Sequence, residues 1–352
     1  MHSYKLLLLI CCLLTITGLG LAQDIRPEAY GAIVNDNIDD TPAVQAAIDA
    51  VLEEGGGTVV FPSGRLNITR TIRVIPNGYV GGEIKLQGNR GSVLDFSMGT
   101  SGYGIYAGNL NSLNIEDLVI TGKRVEPGQP GFYDANYVVF SNYVNQTNIT
   151  RCQFYGLAVP SGSAIVYVGN TDARIADSQF DGDLGAYPEG AVILADNPRG
   201  LTVTRCTFLD YANFNGQYYS KASGFVGSWI KVRGNPEIND ANGIRRVLIE
   251  DSRFDEGAAT AVNINSVPWV DISGISINVN GSDYGRGVFL KNVEYAKVQE
   301  SWFGWTVLTR PALDLENVGG LEVTALKFGG GVYFVRQQNP VEMTVKFCPQ
   351  CN

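Results

Sequence analysis

Apolar and polar positions alternate along most of this chain in runs of five or six residues, with Gly, Asn or Asp between the runs. Alternation of period two is the signature of a β-strand with one face buried, and the breaks read as turns. The runs also repeat, with an irregular period in the mid-twenties. The repeat core is an apolar residue, two variable residues, a Cys, Ser or aliphatic residue, one variable residue, then Phe or Ile. It occurs eight times, at 115–120, 149–154, 175–180, 203–208, 249–254, 272–277, 298–303 and 323–328. Most copies follow a second alternating segment that ends near an Asn, at Asn170, Asn197, Asn235, Asn292 and Asn317. One repeat therefore holds about three short strands. So small a unit cannot bury its own apolar residues, and stacked neighbours must share a continuous core. No helical pattern separates the strands, which argues against βαβ units. The pattern predicts an all-β chain folded as a right-handed parallel β-helix, with stacked coils over about 80–347.

One segment departs from this pattern. Over about 41–54 the apolar residues Val44, Ala47, Ile48 and Val51 fall at helical spacing, Thr41 and Pro42 supply start signals, and Gly55, Gly56 and Gly57 a stop. A solenoid needs a cap on its open end, and this helix is placed to be it.

The stretch AYGAIVNDNIDDTPAVQAAIDA at 29–50, followed by GGGTVVFPSG at 55–64, resembles the amino-terminal signature of the pectate lyase superfamily, in its rhamnogalacturonase-like and epimerase-like branch. The resemblance implies an extracellular β-helix acting on polysaccharide as hydrolase, lyase or epimerase, without choosing among them.

Composition narrows the chemistry. A net charge of −9 offers no basic footprint for a nucleic-acid backbone. Residues 1–22 carry Lys5, an apolar run and a Gly-Leu-Ala end, the features of a cleavable secretion signal, and the apolar core is short for a membrane span. The expected mature protein, 23–352, is a single secreted domain with no membrane segment. Cleavage removes His2, the only histidine, and with it any Ser-His-Asp triad or His-ligated zinc. Carboxylates, Lys, Arg and Tyr are left to do chemistry, and no metal site or cofactor is expected. Of the remaining cysteines, Cys152 and Cys206 share one repeat position two coils apart, too far for a bond, and read as buried free thiols. Cys348 and Cys351 are the pair able to form a disulfide.

A candidate groove lies along the Asn-ended strands. Ile165/Tyr167, Val192/Leu194, Ile230/Val232, Val262/Ile264, Val288/Leu290 and Leu313/Leu315 are assigned inward. The outward row then contains Lys231, Arg233, Asn263, Asn265 and Lys291, a cationic, Asn-lined strip that suits an anionic polysaccharide. Simple cross-strand pairing of those cations with Asp314 and Glu316 is the plainer reading of the same residues. About twenty extra residues enter between Phe208 and Phe254, and the aromatics there, Tyr218 and Tyr219 among them, offer faces for sugar stacking. Carboxylates gather just after the repeat's Phe: Asp181, Asp183, Asp210 and Asp255. On adjacent or next-but-one coils they fall within the roughly 5 to 9.5 Å that glycosidase pairs use, although Asp after a strand is also an ordinary turn former.

The Asp-Asp pair and Gly-His-Gly of polygalacturonase-like relatives are missing, and the calcium-binding Asp cluster of pectate lyases is not evident. The function expected first is a glycoside hydrolase acting on a uronate-containing polysaccharide through those aspartates. The alternatives are a lyase or epimerase with Lys231 or Arg233 as base, and a non-catalytic glycan-binding or surface protein.

Overall fold

The computed structural model describes residues 24–76, 81–97, 102–122, 135–155, 164–181, 190–209, 213–214, 217–218, 227–235, 246–255, 260–279, 286–305, 311–329, 335–338 and 343–346. They form a parallel β-helix in which each coil contributes three strands. One full coil shows the plan: Asp172–Ala176 on what we call the side face, Gln179–Asp181 on the back, Ala191–Asp196 on the front. The back strands make a 10-stranded sheet. Front and side strands join in a 17-stranded sheet because several, such as Gly102–Glu116 and Arg286–Gln299, run straight through the corner between the faces. Coil lies on coil in parallel register, as in Val166↔Ile193↔Ile230↔Val262↔Val288↔Leu313. The stack begins with Gly57–Phe61, Gly64–Asn67 and Ile72–Val74, ahead of the position 80 that the repeat suggested.

The front-to-side corner turns on one residue in the left-handed region, and Asn fills it at Asn109, Asn170, Asn197, Asn292 and Asn317, with φ from 46° to 57°. Asn tolerates that conformation because its short amide can bond locally. Here it also bonds to the next coil: Asn292 Nδ2 donates to Asn265 Oδ1 at 3.2 Å and Asn317 Nδ2 to Asn292 Oδ1 at 3.0 Å. At the side-to-back corner, Arg151 Nε donates to Asp117 Oδ1 at 2.7 Å and Arg205 Nε to Asp177 Oδ1 at 2.6 Å.

The repeat's Phe points inward, where the rings stack face to face. Centroids are 4.8 Å apart for Phe154–Phe180, 5.1 Å for Phe180–Phe208 and 4.8 Å for Phe208–Phe254, and the planes agree within 8°. The Cys/Ser position is inward too. Ser178 Oγ accepts from Cys152 N at 3.1 Å and donates to Ala176 O at 2.8 Å. Cys152 and Cys206 are buried free thiols, and burial pushes both up to about 12. The helix Thr41–Glu53 buries Val44, Ala47, Ile48 and Val51 in the core at the open end of the first coil. Its N-cap is Asp40 and not Thr41: Thr41 is helical and donates its hydroxyl to Asp39 Oδ1 at 2.5 Å.

Two front strands face otherwise than assigned from sequence. Tyr167 and Leu194 point outward, into a small outer cluster with Ala164, Ala191 and Tyr137, while Val166/Val168 and Ile193/Ala195 join the main core. Residues 164–168 and 191–195 are apolar at nearly every position, so alternation there carries no facing signal. Pairing with Ile230 and Val232, whose neighbours are charged, fixes the register. Ile165 and Val192 are inward as expected.

Candidate functional site on the front face

The outer front face changes character along the helix axis. Over the first coils it is aromatic. Tyr106, Phe140 and Tyr167 hold one column, with ring centroids 5.1 and 4.5 Å apart and planes within 10° of parallel. Tyr103 and Tyr137 stack beside them at 5.9 Å. The ring faces are largely spent on one another, leaving ring edges and hydroxyls for the surface.

Where this ladder ends, a polar cluster is assembled across three coils. The Tyr167 hydroxyl donates to the Asp196 carboxylate, which also accepts from Arg233 Nε at 2.7 Å and Nη2 at 3.1 Å. Gly169 makes this possible, since a Cβ at that position would stand 2.8 Å from Tyr167 Oη. Burial first, and the Asp196 charge next, push the Tyr167 phenol up to about 12, so it is a permanent donor. Burial beside the same carboxylate also raises Tyr137.

Beyond the cluster the column continues through Leu194, half-buried Lys231 and Asn263, with Asn265 next to Arg233. Further along, Lys291 Nζ pairs with Glu316 Oε1 at 2.7 Å. Buried Asp314 is held by Arg336 at 2.9 and 2.5 Å and by Arg286 at 3.3 Å, and Arg286 lies 5.0 Å over the Phe289 ring. Arg233, Lys231 and Lys291 do stand outward on one face, as the sequence implied. Arg233 and Lys291 are charge-compensated, however, Arg233 by Asp196 in place of the expected Asp314 or Glu316.

Of the carboxylates named from the sequence, Asp181 and Asp255 end strands of the back sheet, whose strands lead into the front ones. Asp255 ends the strand Arg253–Asp255, five residues before Thr260 opens the front strand Thr260–Asn265. It is in register with Leu209 and Asp181, so Asp181 and Asp255 are two coils apart, about 9.6 Å between backbones at the usual strand spacing. Both Asp255 oxygens are buried without a hydrogen bond, and Oδ2 forms an ion pair with Arg253 Nε at 2.5 Å. Asp183, Asp210, Tyr219, Cys348 and Cys351 lie outside the described residues, as does the 1–22 segment; Tyr218 is described only as backbone, in the short pair Asn213–Phe214 with Gln217–Tyr218. Sequence reasoning missed Tyr167 and Asp196. Aligning the ends of successive front strands would have found Asp196, because it holds the place that Arg233, Asn265, Lys291 and Glu316 take in later coils.

No family model and no curated protein matches this chain. Solved structures do. A double-mutant tailspike protein of E. coli bacteriophage HK620 aligns over 92% of this chain and 65% of its own, at 12% identity and a TM-score of 0.56. Tailspike protein 3 of bacteriophage CBA120 aligns over 93% and 60%, at 13% identity and a TM-score of 0.46. The A-module of the Azotobacter vinelandii mannuronan C-5 epimerase AlgE4 aligns over 92% and 100%, at 16% identity and a TM-score of 0.39. The chain thus spans less than two thirds of the length of these tailspikes. At such identities the likeness is one of architecture, and the chain is a parallel β-helix protein of the kind the HK620 tailspike exemplifies.

Proposed function

We propose that this is a carbohydrate-active protein that binds a polysaccharide along its outer front face and, in the sharper form of the reading, a secreted glycoside hydrolase acting on a uronate-containing chain. The Tyr167–Asp196–Arg233 cluster carries the proposal. It sets a fixed donor, a carboxylate and a guanidinium on the surface between an apolar aromatic edge and the amides of Asn263 and Asn265. Sugars present that mixture of apolar C–H surface and hydroxyls, and Lys231 and Arg233 add pairing for a uronate carboxylate. Arg233 is held by two bonds from its guanidinium to Asp196, which favours a role in clamping an anion over one as base. Acid/base work then falls to the aspartates that follow the repeat's Phe in sequence, Asp255 with Asp181, Asp183 or Asp210.

A panel of acidic and neutral polysaccharides tests both levels. New reducing ends without unsaturation are expected; ultraviolet-absorbing unsaturated ends would make the protein a lyase, and retention without products a binding protein. Replacing Asp181, Asp183, Asp210 and Asp255 singly by Asn should lower turnover at least 10²-fold for one of them, as loss of an acid or base does. Four fully active variants would sink the hydrolase reading.

A further inference from the structure

The far end of the front face repeats, four coils on, the arrangement that fixes Arg233. Arg233 lies side-on to Asp196 of the preceding coil, through Nε and Nη2. Arg336 meets Asp314 of the preceding coil through the same two nitrogens, at 2.9 and 2.5 Å. Each arginine side chain remains 47% exposed, so N–H groups not spent on the carboxylate lie at the surface. Arg336 also continues the Lys231 column, through Asn263, Phe289 and Asp314. Four coil spacings separate Lys231 from Arg336, about 19 Å at ~4.8 Å each.

Arg336 exceeds what Asp314 requires. The Asp314 carboxylate is buried and already has Arg286 at 3.3 Å, whose guanidinium lies 5.0 Å over the Phe289 ring. A second arginine on that carboxylate adds positive charge that Asp314 does not neutralise. A corner pair that ties two coils, Arg205–Asp177, sets one arginine against one carboxylate. The bias runs along the whole face. On the front portions of the described strands from 164 to 338, cations outnumber carboxylates five to three, in a chain whose net charge is −9. Such a strip on an acidic protein attracts anions.

We propose that Arg336 is a second anion clamp of the front face, which takes the carboxylate of a uronate several sugars along the same chain that Lys231 and Arg233 hold. The inference rests on the front-face reading and narrows its substrate class to a polymer that carries carboxylates at regular intervals, as against a neutral chain with an isolated acidic sugar. The guanidinium donates to a ligand carboxylate in charge-assisted bonds, and its pairing with Asp314 orients it before the ligand arrives. Two clamps on one ligand reinforce each other, because the second contact forms at the effective concentration set by the first. A neutral sugar at the same place would bring no partner for the charge.

Calorimetric titration of the full chain with a size series of oligogalacturonates, and with the same series methyl-esterified, tests it. Wild-type affinity for the acidic series should step up when the oligomer becomes long enough to reach from Lys231 to Arg336, and the esterified series should show no such step. Arg336→Ala should remove the step, weakening long acidic oligomers about tenfold while leaving short ones as in wild type; Arg336→Lys, which keeps the charge and loses the fork, should recover part of it. The double variant Lys231→Ala, Arg233→Ala should weaken short and long oligomers alike. If that double variant behaves so while Arg336→Ala binds long oligomers as tightly as wild type, the second clamp is overturned and the front-face reading stands. A double variant that binds like wild type, or a wild-type chain that binds no acidic oligomer, overturns the front-face reading and the clamp with it. Should Arg336→Ala fail to fold, the wild-type length profile decides, and an absent step, or an equal step in the esterified series, overturns the clamp.

Discussion

At the scale of single residues, burial and exposure decide which side chains can do chemistry. The Cys152 and Cys206 thiols, pushed up to about 12 by burial, carry no thiolate near neutrality. Neither should be labelled in the native, non-reduced protein, and both should react on unfolding; peptide mapping that found a Cys152 to Cys206 crosslink would contradict the fold. Their raised values have a consequence at high pH. A thiol whose folded value exceeds its unfolded one contributes stability that is complete below the unfolded value, near 9, and is lost as pH rises toward about 12. A Cys152→Ala, Cys206→Ala variant should therefore lose less stability than the parent between those pH values, read as melting temperature. On the surface the logic differs. Lys231→Ala with Arg233→Ala should weaken binding to acidic polysaccharide. It should cost less than about 1 kcal/mol of stability, because an exposed ion pair such as Arg233–Asp196 contributes little. Unchanged affinity in a binding assay would remove those residues from the site.

At the scale of elements, the chain spends its strongest apolar residues on continuity between coils. Phe208 has Phe180 on one side and Phe254 on the other, each ring nearly parallel to it. Phe208→Ala should destabilise by about 3 to 5 kcal/mol, the cost of a large cavity in a close-packed core, and chemical denaturation should show it as a lower midpoint. The corners contribute by conformation. Asn170 sits at φ 51°, so Asn170→Ala should cost about 1 to 2 kcal/mol in left-handed strain. Asn170→Gly should be much milder in the same assay.

For the whole molecule, function follows from one-dimensional stacking. Columns of outward residues run parallel to the axis, so a polymer laid along the front face meets one coil after another. From Tyr106 to Asn263 the strip crosses five coil spacings, about 24 Å at ~4.8 Å each. Affinity for a bound oligosaccharide should rise with its length until it spans that strip, and beyond it only uronate oligomers that reach Arg336 should gain further. Affinity independent of length would mean that binding is confined to a single coil.

The sequence by itself determined the solenoid, the three strands per coil, the capping helix, the inward Phe and Cys/Ser stacks and the Asn corners. Each of these follows from period-two alternation, recurrence or a residue's own backbone preference, and all are local properties. It also set the outward facing of Lys231, Arg233, Asn263, Asn265 and Lys291, where charged or amide side chains alternate with aliphatic ones. Only the tertiary structure decided the facing of Tyr167 and Leu194, because in an unbroken apolar run either face satisfies the pattern and the neighbouring coil makes the choice. It alone brought Tyr167, Asp196 and Arg233 together across coils some 30 residues apart in sequence. It alone set Arg286 and Arg336 on the one carboxylate of Asp314. Contacts of that kind depend on register between coils and on room left by an absent side chain, and no single strand records either.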